Sequence, residues 1–390
     1  SCLRCSCNNQ NHAPMESPVR KSVVVSAVNL RKGGTLTVLR DSLSYLSTRK
    51  DLDVTAIVHS ERLCHFDGIR YIEIPWSAKS WIRRLWCEYV TLHRISGQMP
   101  ETDLWLSLHD TTPRVRANRQ AVYCHTSFPF LETRARDWRM NPKIPLFSKF
   151  TKYAYRMFVH RNAFLVAQQN WFREGLSRIT GFPSERIIVA PPRFEADQRP
   201  DNQMDLSEPP MFFYPASPDC HKNFETLCEA ARLLEARIGT GRFTVRLTLS
   251  GDENRYARWI KRKWGSVASL SFAGFLTRED LFAHYAQAHC LVFPSRVETW
   301  GLPISEYMPT GKPMLLADLP YAHETASGSM KTAFFPPNDP EELADQMHRI
   351  LENEYDFLSQ VPGQETKPPR AENWDRLFEI LLMHENTPTR

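Results

Sequence analysis

Two carboxylates, Glu298 and Glu306, stand with seven residues between them in the stretch FPSRVETWGLPISEYMPT at 293–310, across a Gly-Leu-Pro turn. The stretch continues an apolar run, CLVFPS, that reads as a strand. A strand closed by Pro294 and Ser295, then Gly301, then a helix with Pro303 in its first turn leaves unpaired N–H groups at the helix mouth. Those donors and the helix dipole favour an anion. Carboxylates do not favour the same phosphate, so Glu298 and Glu306 are suited to accept hydrogen bonds from sugar hydroxyls beside it. A diphosphate carrying a sugar on each side fits this pattern.

Within its frame of FPS, ETWGLP and SEYMPTGKPML, the stretch resembles the donor-binding signature of retaining GT-B glycosyltransferases of family 4. These enzymes move a sugar from a nucleotide diphosphate to an acceptor. The resemblance implies that Glu306 holds the nucleotide ribose and that Glu298 lies by the donor sugar. It implies that the backbone amides of Thr299, Trp300, Gly301 and Leu302 meet the diphosphate. It also implies an α/β chain of the GT-B class, two Rossmann-like doubly wound domains facing across a cleft. In such enzymes both steps occur on one face of the sugar, and the leaving phosphate helps to deprotonate the incoming hydroxyl, so no carboxylate nucleophile is required.

Other residues extend the pattern. Lys222, in YPASPDCHKNFETL just before a helix, can reach an anion at the carboxyl edge of a sheet. By the resemblance, it contacts the diphosphate together with an arginine six residues earlier. Ala216 stands at that position, so one positive charge is missing, and Arg31, Lys32 and Arg296 are the candidates to replace it. Outside the HKN frame, Lys222 would read as a solvated surface charge. Gly33 and Gly34, in NLRKGGTLTV, allow close backbone approach to a phosphate at a helix start. An ordinary tight turn is their other reading. His125 ends QAVYCHTS, and its family counterpart lies near the donor sugar, which makes it the catalytic candidate of the first half. His109 in SLHDTTP is its rival. Asp110 can orient His109 as a base, and His109, Asp110 and Arg31 are assigned to the acceptor side. Phe275 and Leu276 in LSFAGFL are either core residues or the nucleobase contact that the resemblance implies, and Gly251 in LTLSGDENRY sits at a similar strand end. Asp51 and Asp53 form a DxD pair but precede an alternating strand, so they read as a solvated turn. No metal and no cofactor beyond a nucleotide sugar co-substrate is expected.

These residues need elements to hold them. Apolar strands at SVVVSAVNL, DVTAIV, RYIEIP, DLWLSL, QAVYCH, AFLVAQ and RIIVAPP alternate with helical patterns, as in a doubly wound parallel sheet. The theme repeats from MFFYPA through TAFFPP. Between them, the polar, proline-punctuated run EADQRPDNQMDLSEPP has no periodicity and reads as a hinge. The expected organisation is a disordered leader at 1–20, an acceptor and membrane-side domain at 21–195, and a linker at 196–210. A nucleotide-sugar domain follows at 211–370, then a C-terminal helix at 371–390 packing back on the first domain. Ligands in such sheets bind beyond the strand ends, so the expected cleft lies between the domains.

With 390 residues and 42% hydrophobic content, the chain can bury two cores. Cys87, Cys124, Cys228 and Cys290 lie singly in apolar runs and read as reduced core thiols. Cys2, Cys5 and Cys7 cluster in the leader without a matching zinc-like pair, and Met15 is a candidate natural start. No apolar run of about 18 residues and no secretory pattern is present, so the chain is expected in the cytoplasm, peripheral at the inner face of the plasma membrane. Residues 1–199 carry 30 Lys plus Arg against 17 Asp plus Glu, a balance of +13, whereas residues 200–390 carry 19 against 27, a balance of −8. The basic half should face an acidic partner.

Two strips qualify for that contact. SWIRRLWCEYVTLHRI puts Ile82, Leu85, Trp86, Tyr89 and Leu92 on one helical stripe flanked by Lys79, Arg83 and Arg84. From Arg134 to Arg161, eight basic residues accompany the single acid Asp137, interleaved with aromatics. Either strip can rest on an anionic membrane, or its aromatics can be core. No nucleic-acid recognition motif is present, and no nucleic-acid partner is expected. The function expected is hexosyl transfer from a nucleotide sugar to a lipid-linked or cell-surface glycan such as a lipopolysaccharide precursor. The alternatives are a catalytically silent sugar-nucleotide sensor or a nucleotide-sugar epimerase.

Overall fold

The structure, a computed structural model, describes residues 20–31, 33–192 and 208–383. Cys2, Cys5, Cys7 and the rest of the expected leader through 19, Lys32, most of the expected linker at 196–210, and the end of the expected C-terminal helix at 384–390 lie outside the described residues.

In chain order the elements are β1 (Lys21–Ala27), α1 (Gly33–Thr48), β2 (Leu52–Val58), β3 (Ile69–Glu73), α2 (Trp81–Trp86), α3 (Leu92–Gln98), β4 (Leu104–Ser107), β5 (Arg119–Tyr123), α4 (Ala135–Met140), α5 (Lys143–Arg156), β6 (Phe164–Ala167), α6 (Asn170–Thr180) and β7 (Ile187–Val189). There follow β8 (Met211–Tyr214), α7 (Phe224–Ile238), β9 (Thr244–Leu247), α8 (Arg255–Trp264), β10 (Leu270–Phe272), α9 (Arg278–Gln287), β11 (Cys290–Phe293), α10 (Leu302–Tyr307), β12 (Met314–Ala317), α11 (Pro320–Thr325), β13 (Thr332–Phe335), α12 (Pro340–Leu351) and α13 (Trp374–Leu382). The strands form two sheets, one of seven in the order β3-β2-β1-β4-β5-β6-β7 and one of six in the order β10-β9-β8-β11-β12-β13. Helices cover strands of this kind on both faces, so the central strands are apolar and buried. All four residues of β8 and of β11 are buried, as are Val23, Val24 and Val25 of β1. Both sheets are Rossmann-like, as the alternating pattern predicts.

The described chain falls into two compact units, the first holding residues up to 106 with 115–119, the second holding 107–114 with the chain from 120 onward. In the first, α1 opens on Gly33 at φ 70 and buries Val38, Leu39, Leu43 and Leu46. The stretch expected to be one amphipathic stripe is broken there by a π turn, Cys87–Thr91, between α2 and α3. The wider turn shifts the helical register. Trp81, Ile82, Leu85 and Trp86 therefore stay exposed, whereas Leu92 is fully buried and Glu88, also buried, accepts from Arg84 Nε at 2.8 Å. Cys87 in this unit, and Cys124, Cys228 and Cys290 in the second, are buried free thiols. No helix among the described residues is long and apolar enough to cross a membrane.

In the second unit, α13 follows a segment that joins β7 by its backbone, Ala371 N–H donating to the Val189 carbonyl at 2.9 Å, and Trp374 lies 6.2 Å from the Tyr123 ring. A buried ion pair locks α4 to the loop after β11. Arg296 donates Nη2 to Asp137 Oδ1 at 2.6 Å and Nη1 to Oδ2 at 3.0 Å, and the same two nitrogens also reach the carbonyls of Cys220 and Glu132. Asp137 in turn accepts the Arg134 N–H at the start of α4. With both side chains almost fully buried, removing one leaves an uncompensated charge. Asp137→Ala should therefore lower stability by about 3–5 kcal/mol in urea unfolding, while the Asp137→Leu/Arg296→Met double variant recovers most of the loss. An unchanged midpoint in the single variant would show that the pair does not support the loop.

Candidate active site

The second unit brings Lys222 and Glu298 together. Strand β11 ends at Phe293, and α10 begins nine residues later at Leu302, under Gly301, whose φ of 87 is the left-handed conformation glycine takes without strain. A Cβ on Gly301 would stand 3.3 Å from Ile304 Cδ1, so the turn is also tight. Between strand and helix, Glu298 Oε1 accepts Lys222 Nζ at 2.5 Å and Ser295 Oγ at 2.5 Å. The two charged side chains are only 16% and 14% exposed, so their attraction is weakly screened.

Asn223, next to Lys222, explains the meeting. It sits at φ 58, caps α7, and donates Nδ2 to the Pro294 carbonyl at 3.0 Å and to the Pro337 carbonyl at 2.7 Å. One buried amide thereby joins the loops that follow β8, β11 and β13. The Lys222 carbonyl is fixed by the Tyr214 hydroxyl at 2.7 Å, and the Tyr321 hydroxyl holds the Ser295 carbonyl at 2.7 Å. The HKN frame flagged the lysine. The role of its asparagine is visible only in three dimensions.

Glu306 projects from α10 and accepts the Tyr285 hydroxyl at 2.8 Å, with Arg278 Nη1 3.6 Å from its other oxygen. Burial and the Glu306 charge push the Tyr285 phenol well up, so it donates to the carboxylate throughout the neutral range. Trp300 donates Nε1 to Ser305 Oγ at 2.9 Å, the Thr325 hydroxyl donates to the Trp300 carbonyl, and Leu302 is exposed. Phe275 is 92% exposed, so it is not a core residue, while Leu276 packs against the core. Gly251, at φ 106, has a packing cause: a Cβ there would lie 2.6 Å from Lys261 Cβ on α8.

His125 joins this cluster through its backbone, its carbonyl accepting the Thr299 hydroxyl. Its ring is buried, stacked on Tyr123 at 4.7 Å, and burial lowers its pKa against the opposing charge of Asp110. Asp110, held at φ 69, accepts the N–H groups of His125 at 2.5 Å and Thr126 at 3.0 Å, the Tyr155 hydroxyl at 3.0 Å and the Thr126 hydroxyl at 2.8 Å. The carboxylate read as a partner for His109 thus holds the loop after β5. His109 itself is fully buried, with Nδ1 3.3 Å from Thr111 Oγ1. The missing cation is not restored by Arg296, whose guanidinium is committed to Asp137, and Ala216 closes on Thr248 through both its N–H and its carbonyl, each at 2.8 Å. Gly33, Gly34 and Arg31 belong to the first unit, where all three are exposed and nothing lies within 4 Å of a Cβ built on either glycine.

His221, packed edge-on against Phe128 at 5.0 Å, is held well below its ordinary pKa by burial and by the charges of Lys222 and Arg296. His125 and His221 are therefore both neutral when folded, and below about pH 6.5 the unfolded chain takes up their protons first. Their stabilising contribution is complete above that pH and is lost as pH falls. The melting midpoint should drop between about pH 7 and pH 5, and His221→Gln should flatten the drop. A variant with the wild-type pH slope would remove His221 as a cause.

Residues 210–353 match the family described as glycosyl transferases group 1. A stretch of 136 residues is 32% identical to the serotype-specific mannosyltransferase WbdA of Escherichia coli, covering 34% of this chain but only 16% of that protein's length. The crystal structure of WaaG, a glycosyltransferase involved in lipopolysaccharide biosynthesis, is similar at TM-score 0.60 and 14% identity over 85% of this chain and 90% of WaaG. HepE of Anabaena, in complex with UDP and glucose, is similar at TM-score 0.59 and 15% identity over 87% and 92%. At these identities the structural likeness is one of fold. The chain has the GT-B fold, and its residues 210–353 are similar to the glycosyl transferases group 1 family.

Proposed function

We propose that the chain transfers a hexose-type sugar, with retention of anomeric configuration and without a metal, from a nucleotide diphosphate donor to a lipid-linked or cell-surface glycan. The observation that carries this reading is the Lys222–Glu298 contact at 2.5 Å beside the Gly301-capped helix that bears Glu306. A departing diphosphate requires positive charge and N–H donors. Lys222 and the amides of Thr299–Leu302 supply them, Glu306 takes the ribose, and Glu298, freed from the lysine by the incoming diphosphate, accepts the sugar hydroxyls. His125, neutral and tied to Thr299, borders the donor sugar. The nucleobase lies by the Gly251 and Phe275 loops. Gly33 and Gly34 are the further candidates for the diphosphate, and Arg31 for the acceptor. WbdA and WaaG act in mannosyl transfer and in lipopolysaccharide biosynthesis by their names, which supports a surface glycan as acceptor. GDP-mannose, dTDP-rhamnose and UDP-hexoses are the donors to screen. The site of action is the cytoplasmic face of a membrane, with the protein peripheral to an anionic surface.

Lys222→Ala and Glu298→Ala should each lower transfer by about 10²–10³-fold with the melting midpoint preserved. Turnover retained in both would remove the site, a product of inverted anomeric configuration in NMR would remove retention, and loss of activity in EDTA would remove metal independence. The absence of an arginine at Ala216, together with the commitment of Arg296 to Asp137, favours one second reading, a sugar-nucleotide sensor. Donor binding without release of the nucleotide diphosphate would decide for it.

A further inference from the structure

Helix α5 has two faces. Ile144, Ser148, Thr151 and Tyr155 are buried, and Leu146, Phe150 and Tyr153, at the same 4-3 spacing, are exposed, as is Met157 just past the helix end. At about 100° per residue the two rows lie almost opposite each other. The outward row is unusually apolar, with Phe150 52% and Tyr153 66% exposed. Along its edge run Lys149, Lys152 and Arg156, with Lys143 at the first turn, and the helix contains no acidic residue. Lys149 also sits over the exposed ring of Trp138 at 5.3 Å. Among the described residues no carboxylate pairs with Lys143, Lys149 or Lys152.

We propose that this face of α5 docks on an anionic lipid bilayer, the aromatic row entering the headgroup boundary and the lysine row contacting lipid phosphates. It rests on the membrane-surface part of the proposed function and names the element responsible. Charge and apolarity together select the occupant. A nucleic-acid backbone would use the cations and leave Leu146, Phe150 and Met157 wet, whereas a second copy of this chain would set one lysine row against another. Lipid uses both, because the lysine stems lie along the apolar surface while the ammonium groups reach the headgroups.

The test is co-sedimentation of the full chain with vesicles of phosphatidylcholine alone or mixed with phosphatidylglycerol. Binding is expected only to the mixed vesicles, weakening with salt, and should fall by about tenfold or more in both Phe150→Ser/Tyr153→Ser and Lys149→Glu/Lys152→Glu. A sugar-nucleotide thermal-shift assay runs beside it. An unchanged shift in both variants separates the two readings, because vesicle binding without any donor shift in the wild type would sink the transferase reading and leave docking standing. Equal binding to both vesicle types, or wild-type binding in both variants, would overturn the proposal. So would self-association that the Phe150→Ser/Tyr153→Ser change abolishes without any effect on vesicles.

Discussion

The second unit depends on a guanidinium that the chain keeps out of water. Arg296 lies two residues before Glu298 and is closed bidentately on Asp137, so the loop bearing the candidate catalytic carboxylate is fastened to the start of α4, 159 residues away in sequence. Such a pair contributes less by its own attraction than by the penalty any rearrangement would incur, since moving either partner strands a buried charge. The pair also contacts the Cys220 carbonyl and so holds the turn that carries Lys222. Arg296, which the sequence offers as a spare cation for phosphate, is instead the peg that holds the loops bearing Lys222 and Glu298.

Around that peg, uncharged groups set the distances. The amide of Asn223 reaches two carbonyls on different loops, the hydroxyls of Tyr214 and Tyr321 reach two more, and Gly301 allows α10 to start at once. All of these are buried and hydrogen-bonded, which makes the site rigid, because a buried polar group costs more to release than it gains by pairing. Under the proposed function such rigidity would matter, since preoriented donors need no reorganisation as charge develops.

Asp110 shows the same economy in the loop after β5. Its left-handed backbone turns the carboxylate onto two backbone N–H groups and two hydroxyls, fixing the His125 carbonyl where the Thr299 hydroxyl finds it. His125 is thereby joined to the signature loop by main chain, while its ring stays buried against Tyr123.

The alternation of apolar strand and helix was legible from sequence because a parallel sheet covered on both faces demands continuous apolar runs, and the strands of both sheets fall where that pattern puts them. The two glutamates, the glycine turn and Lys222 were legible too, because residue type and spacing limit what a helix mouth can bind. Sequence could not say which charges pair. Arg296 with Asp137, Asn223 with Pro294 and Pro337, and Asp110 with the His125 amide join positions separated by 15 to 159 residues. Nor could it separate the stripe broken by a π turn at 87–91 from the intact outward face of α5. Local pattern records what a residue can bond, whereas burial and long-range proximity decide what it does bond, and those exist only once the chain has folded.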